Sequence, residues 1–373
     1  MKKFVSSALA VTAVSALSFA GSGTEEWPTL DREIENLKSS LAQGPTSGWT
    51  VSGFIKSSYQ NSSDVDGFIS PNGDNNDLGG FNLDNARLQL NAETVDYSLK
   101  LQLEGSDSAG ADLGPGVGDL LGVPHSPGSV TVLDAYAAWN ATDMVKVQLG
   151  HFRPPFLGSS MIDENNLLFI DRSVNGEFWD FRDLGAQVGG TWEQVSWAVA
   201  AMNGGDAQGD ELAISGRIAF DALGTDPSPM SEGAYGIGDE DHLTLGLGYY
   251  SDDDNTDDFT AMGFDVRYAR GAFCVGLEIV DNDDGAEAAT LTGSSGTPWS
   301  IYASFMLSPE QWEVAVRYED LDDDDDTTRA TAGLNYYMGG HNAKWQLNFA
   351  TSDSDMDAFE IDVIALALVV GVG

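Results

Sequence analysis

The sequence predicts an all-β transmembrane antiparallel up-and-down barrel of about 16 strands, preceded by one short helix. Three observations predict it. From Gly48 to the end the hydrophobic period is 2, with apolar and polar side chains alternating in segment after segment. Beyond residues 1–20 no stretch reaches the ~18 consecutive apolar residues of a transmembrane helix. The connections between strand-like segments alternate between tight turns and long polar loops, as an even number of strands requires when both termini leave from one end.

The amino-terminal elements come first. Lys2 and Lys3 precede an apolar run from Phe4 to Phe19 that closes on Ser18-Phe19-Ala20, the pattern of a secretory signal peptide over residues 1–20 with cleavage expected after Ala20. Leu30, Ile34, Leu37 and Leu41 then fall on one helical face, with Asp31, Arg32, Glu35 and Lys38 at other positions. Pro28 and the Gly44-Pro45 pair frame that helix, so residues 21–47 read as a short periplasmic helix and linker. Such a helix is marginal alone, and it serves either as a coiled coil that gathers subunits or as a tether. Residues 48–373 form the barrel.

Strand candidates run from Trp49 to Tyr59, Phe81 to Thr94, Asp96 to Gly105, Thr131 to Asn140, Met144 to Phe152, Arg182 to Trp192, Gln194 to Met202 and Glu211 to Phe220. The second half runs from His242 to Tyr250, Phe259 to Arg270, Ala272 to Asp281, Pro298 to Leu307, Gln311 to Asp320, Arg329 to Met338, Asn342 to Ala350 and Phe359 to Val370. A tilted strand needs ~9 to 11 residues to cross the apolar layer, which these segments match. Tight turns fall at Val95, Ala141 to Asp143, Glu193 to Gln194, Gly271, Ser308 to Glu310 and Gly339 to His341, and are expected on the periplasmic side. The long connections, Gln60 to Gly80, Ser106 to Val130, Arg153 to Phe181, Asp221 to Asp241 and Asn282 to Thr297, are expected to face outward.

Alternation alone fits a soluble sandwich as well as a barrel. Tyr97, Leu99, Leu101 and Leu103 alternate with Ser98, Lys100 and Gln102, and Trp312, Val314, Val316 and Tyr318 with Glu313, Arg317 and Glu319. Aromatic residues at strand ends, among them Tyr249-Tyr250, Tyr336-Tyr337, Trp299, Trp312 and Tyr318, favour the membrane, where they form interfacial girdles. Charge parity points the same way. Lys56, Arg87, Lys100, Lys146, Arg217, Arg267, Arg317, Arg329 and Lys344 share the polar side, the expected pore-lining face. A cation at the lipid midplane would cost ~2 to 4 kcal/mol. Glu93, Glu104, Asp134, Asp265, Glu278, Glu313, Glu319, Glu360 and Asp362 occupy that side too.

The formal charge of -42 disfavours nucleic acid as a partner. Its excess lies in runs such as Asp252 to Asp258, Asp281 to Asp284 and Asp322 to Asp326, which read as hydrated loop tips and lack the spacing of an EF-hand. Cys274 is the only cysteine, so no disulfide framework forms. The histidines His125, His151, His242 and His341 lie on separate segments without metal-ligand spacing, and no nucleophile elbow or phosphate-binding loop is present. No catalytic residue, metal or cofactor is therefore assigned. The alternative to a pore is a structural barrel whose acidic loops bind divalent cations, lipopolysaccharide or a surface layer.

The segment after the fifth strand reads G-H-F-R-P-P-F-L-G from Gly150 to Gly158, L-F-I-D-R-S-V from Leu168 to Val174, F-R-D-L-G-A-Q-V-G-G-T-W from Phe181 to Trp192, and A-M-N-G-G from Ala201 to Gly205. In that order these pieces resemble the phosphate-selective porin O and P family. The resemblance implies an outer-membrane porin, a water-filled channel for passive diffusion of small hydrophilic solutes or ions, with anions such as phosphate among them, and a homotrimer in contact with membrane lipid and lipopolysaccharide. It also implies that the connection of residues 153–181 folds into the barrel as a constriction loop. That connection is rich in Phe, Leu and Trp and is stiffened by Pro154-Pro155, which suits burial better than exposure. Arg153, Arg172 and Arg182 would stand at the narrow zone, opposed by Asp163, Glu164, Asp171, Glu177, Asp180 and Asp183. The chain departs from the family in having no lysine in this segment and only Lys38, Lys56, Lys100, Lys146 and Lys344 beyond the leader, so constriction cations and acidic vestibule pull the ion preference in opposite directions. It also ends in Val372-Gly373, without the terminal phenylalanine common on such barrels.

Overall fold

The computed structural model describes residues 48–63, 79–108, 129–205, 212–224, 231–253, 258–283, 296–323, 325–355 and 362–372. The expected leader of residues 1–20 and the helix within 21–47 lie outside them. Sixteen strands form: β1 Trp49–Ser63, β2 Gly79–Glu93, β3 Tyr97–Ser108, β4 Ser129–Thr142, β5 Val145–Phe152, β6 Asp183–Trp192, β7 Val195–Met202 and β8 Ala213–Leu223. The remainder are β9 His242–Asp253, β10 Asp258–Arg270, β11 Phe273–Asn282, β12 Trp299–Ser308, β13 Trp312–Asp320, β14 Thr328–Tyr337, β15 Ala343–Asp353 and β16 Asp362–Val372. They join in sequence order into one closed barrel, sealed where β1 runs antiparallel to β16 from Gly53 opposite Val372 to Ser63 opposite Asp362. Closure satisfies the edge N–H and C=O groups that hydrocarbon cannot. No helix among the described residues is long and apolar enough to cross a membrane.

The predicted alternation sets which side each residue takes. In β1, Ile55 and Tyr59 are exposed on the outer face whereas Lys56, Ser58 and Gln60 are buried inside. Leu, Val, Ile and Phe continue that outer belt through Leu99, Leu149, Val199, Leu247, Phe264, Val316 and Leu366. Aromatic pairs close both rims. Trp312 and Tyr336 meet at 4.5 Å at the tight-turn end, and Tyr59–Phe81 at 5.0 Å and Trp299–Tyr318 at 5.6 Å lie at the loop end.

Two expectations change. Of the Tyr249-Tyr250 and Tyr336-Tyr337 pairs only Tyr249 and Tyr336 face outward, because adjacent residues of a strand point to opposite faces; Tyr250 and Tyr337 are buried in interior clusters. The Asp221 to Asp241 connection does not lie at the loop end. It joins the eighth and ninth strands, and strand alternation puts that joint at the same end as the turns at Glu193-Gln194 and Gly271. Part of it turns into the barrel, as Ser231, Glu232 and Ala234 are buried.

Candidate functional site

The connection from β5 to β6 fills much of the interior. Its elements are short: single turns at Ser159–Met161 and Glu164–Asn166, then helix α1 at Val174–Phe178, capped where the Gly176 N–H donates to Ser173 Oγ at 3.0 Å. A chain with so little regular structure has orphan backbone groups, and burying them without partners would be costly. Wall side chains supply the partners. Lys56 Nζ donates to the Ile170 carbonyl at 2.6 Å, Lys344 Nζ to that of Leu167 at 2.5 Å, and Arg317 to that of Asp171 at 3.0 Å. Arg217 donates to the Phe156 carbonyl at 2.8 Å, and Asn335 and Gln346 both donate to that of Leu168 at 2.8 and 3.2 Å. From the opposite sign, Glu319 accepts the Val174 N–H at 2.7 Å, and Glu278 accepts the Ser173 hydroxyl.

Apolar packing completes the seat. Trp179 lies 3.8 Å from Phe156 and 5.1 Å from Tyr250, ring centre to ring centre. Leu168 and Phe169 rest near Ala315, and Ile170 rests against Ala365 and Ala367. Gly248 permits the approach, since a Cβ there would stand 2.5 Å from the Phe156 carbonyl oxygen.

A connected set of ion pairs lies where this segment meets β2 to β6. Arg87 pairs with Glu104 at 2.6 Å and with Glu164, and Arg153 reaches Asp180 at 2.5 Å and Glu164 at 3.1 Å. Arg172 reaches Glu164 at 3.0 Å, Arg182 reaches Asp180 at 3.0 Å, and Lys100 pairs with Asp134 at 2.7 Å. Burial pushes the Glu164 carboxyl up, but the Arg172, Arg87 and Arg153 guanidiniums outweigh it and hold the group well below the usual carboxylate range.

A second segment, from the tight-turn end, meets the first. The Glu232 N–H donates to the Asn166 carbonyl at 3.2 Å, and Glu232 Oε2 accepts the Leu168 N–H at 2.8 Å. The Ala234 N–H donates to Glu313 at 2.6 Å, Arg267 donates to the Gly233 carbonyl at 2.9 Å, and Tyr235 stacks on Tyr337 at 4.2 Å. Burial drives the Glu232 carboxyl up, against the pull of Arg317 and the Leu168 N–H.

The structure brings Arg153, Arg172 and Arg182 together and joins Arg87 and Lys100 to their network. Asp183 stands apart as a backbone acceptor, taking the Gly204 N–H at 2.7 Å, and the Asp171 contribution is its carbonyl. Arg217 pairs with Asp265 at 2.5 Å, Arg329 stands opposite Glu319 in the ladder, and Lys146 is exposed at the tight-turn end. Glu232, Asn335 and Gln346 were not among the residues singled out from the sequence. Counting strands to find the end at which Asp221 to Asp241 sits would have flagged Glu232; nothing local marks the two amides. Beside the infolded segment lies a cavity of about 310 Å³, bordered by Ser159, Met161, Arg217, Asp221, Asp265 and Glu278.

Residues 55–270, more than half of the chain, match the phosphate-selective porin O and P family. Among solved structures, the chain is similar to an anion-selective porin from Comamonas acidovorans, at 13% identity and a TM-score of 0.54, covering 87% of this chain and 99% of that one. It is also similar to outer-membrane expressed OmpT of Vibrio cholerae, at 11% identity and a TM-score of 0.52, covering 87% and 97%. A mutant of the Rh. blastica porin gives 13% identity and a TM-score of 0.51, covering 87% and 100%. A comparison with curated protein sequences found no match.

Proposed function

Because the chain belongs to the phosphate-selective porin O and P family, an outer-membrane porin for passive diffusion, we propose that its pore is narrowed by residues 153–181 and admits small hydrophilic solutes and ions. The observation that carries this reading is the division of the barrel: an apolar belt outside, and inside a polar wall that grips an infolded segment by its backbone. A lipid-bathed cylinder with a solvated interior explains both faces at once. Family and fold are those of channel proteins, and the residues gathered at the narrow zone are arranged to hold a shape.

In this reading the cations split into two roles. Lys56, Lys344, Arg317 and Arg217 anchor the infolded segment, while Arg87, Arg153, Arg172 and Arg182 knit it to the wall through shared carboxylates. Lys146, exposed at the periplasmic mouth, is the most open of the lining cations named from the sequence. A trimer in the outer membrane, in contact with lipid and lipopolysaccharide, belongs to the same proposal and is read by cross-linking in native membranes.

Planar-bilayer recording of the purified mature chain tests the pore. Discrete open steps of uniform size support it. Silence from a chain with intact barrel spectra would favour a structural barrel whose acidic loops bind divalent cations or the cell surface.

A further inference from the structure

We propose that this pore favours small hydrated cations over anions, an inference that rests on the channel reading and names its class of permeant. Most interior cations are held at contact distance by a carboxylate or a loop carbonyl. Arg87, Lys100, Arg153, Arg172 and Arg182 share one network with Glu104, Asp134, Asp163, Glu164 and Asp180, equal in number and opposite in sign. Arg217 is held by Asp265 through a two-pronged contact at 2.5 and 2.8 Å, and Arg317 by Glu319 at 3.0 Å. Lys56 and Lys344 are buried against loop carbonyls, while the partly open Arg267 donates to the Gly233 carbonyl at 2.9 Å and the partly open Arg329 stands opposite Glu319 in the ladder.

Access to water then decides what a passing ion meets. Of the cations in these ion pairs none exposes more than a fifth of its side chain, Lys100 at 19% being the most open. Asp163, on the infolded segment, exposes 39% of its side chain, and its distances to Arg87 and Arg153 are long, 3.9 and 3.7 Å. Asp171, Asp183 and Asp221 are also partly open, the last at the border of the interior cavity. At the periplasmic mouth Lys146 is exposed, but so is Glu93 on the same inner parity. A cation locked to a carboxylate at contact distance presents little field to a distant anion, whereas an open carboxylate within about 4 Å of a passing cation enriches it roughly fivefold over bulk and depletes an anion by the same factor. A low-dielectric wall focuses such a field along the path. Asp252 near the end of β9 and Asp322, Asp323, Asp325 and Asp326 between β13 and β14 add charge of the same sign at the loop end.

The probe is potassium chloride. With discrete steps recorded in a bilayer under a tenfold salt gradient, the expected reversal potential lies on the potassium side, with a potassium-over-chloride permeability ratio above ~3. Asp221→Asn, outside the ion-pair network, is expected to keep the step and to lower that ratio, and the Asp163→Asn and Asp221→Asn double variant to lower it at least twofold. Steps that reverse at zero or on the chloride side would overturn the cation preference and leave the pore intact. An unchanged ratio in the double variant would overturn its assignment to the interior carboxylates. Absence of steps would overturn both readings.

Discussion

Lys344 on the fifteenth strand donates from Nζ to the carbonyl of Leu167 at 2.5 Å, across 177 positions of sequence. A wall cation that reads as pore lining by its parity is instead a fastening for the segment that fills the pore. Lys56 does the same for Ile170 at 2.6 Å, three residues further along that segment.

If these contacts set the width of the path, the Lys56→Met and Lys344→Met double variant will loosen it. Each charged hydrogen bond contributes ~1.5 to 3 kcal/mol. The expected result is a noisier open level and a larger mean conductance, with barrel content by circular dichroism unchanged. A conductance identical to the parent would show that the lysines do not anchor the segment.

The Glu164 network gives a pH dependence with a defined sign. Three guanidiniums hold the folded-state carboxyl below its unfolded value of ~4.3, so its contribution is complete above that value and is lost as pH falls through the folded one. Burial and Lys344 push the His341 imidazole down to about 3, so it stays neutral over the same range. Burial pushes the Asp180 carboxyl of the same network up to about 6, so open-channel noise should change first as pH falls through about 6 and again only in stronger acid. A profile flat from pH ~8 to ~5 would contradict this account of the network.

Glu232→Leu removes the acceptor from the Leu168 N–H and leaves it buried without a partner, at a cost of ~1 to 3 kcal/mol. Hydrogen exchange at the Leu168 amide should quicken by at least ~10-fold while the ladder amides of β14 and β15 stay protected. Unchanged exchange would mean that the two infolded segments are held independently.

The orientation of the wall is tested by a matched pair on β9. Leu247 faces outward in mid-strand, and Leu247→Arg should destabilise the membrane-embedded barrel by ~2 to 4 kcal/mol in urea titrations. Thr244 points inward beside Asp221, to which it donates at 2.6 Å, and Thr244→Arg should cost less than ~1 kcal/mol. Equal costs would contradict the assignment of faces.

The barrel was legible because period 2 is a strong and repeated signal, and because a single misplaced cation on the lipid face would be expensive. Parity told which side Lys56, Arg217, Arg317 and Lys344 take. It could not tell what they touch, since partners such as Leu167 and Phe156 lie on a segment without period whose contacts are made by backbone carbonyls common to every residue. Tyr250 and Tyr337 were misplaced for a related reason: an aromatic doublet marks a strand end, but only one member can face the lipid. The Asp221 to Asp241 connection was assigned by its polarity and length, whereas its end of the barrel follows from strand count alone.

An inter-residue cross-link reads most directly whether residues 153–181 sit inside the barrel against its wall. In a Cys274→Ser background, Ile170→Cys and Ala367→Cys place one thiol on the infolded segment and one on β16, in contact positions. In intact outer membranes a short bifunctional thiol reagent should join the pair within one chain, shift its gel mobility and quiet the open level in a bilayer. No cross-link, together with ready labelling of residue 170 by a bulky membrane-impermeant maleimide from outside, would contradict the account.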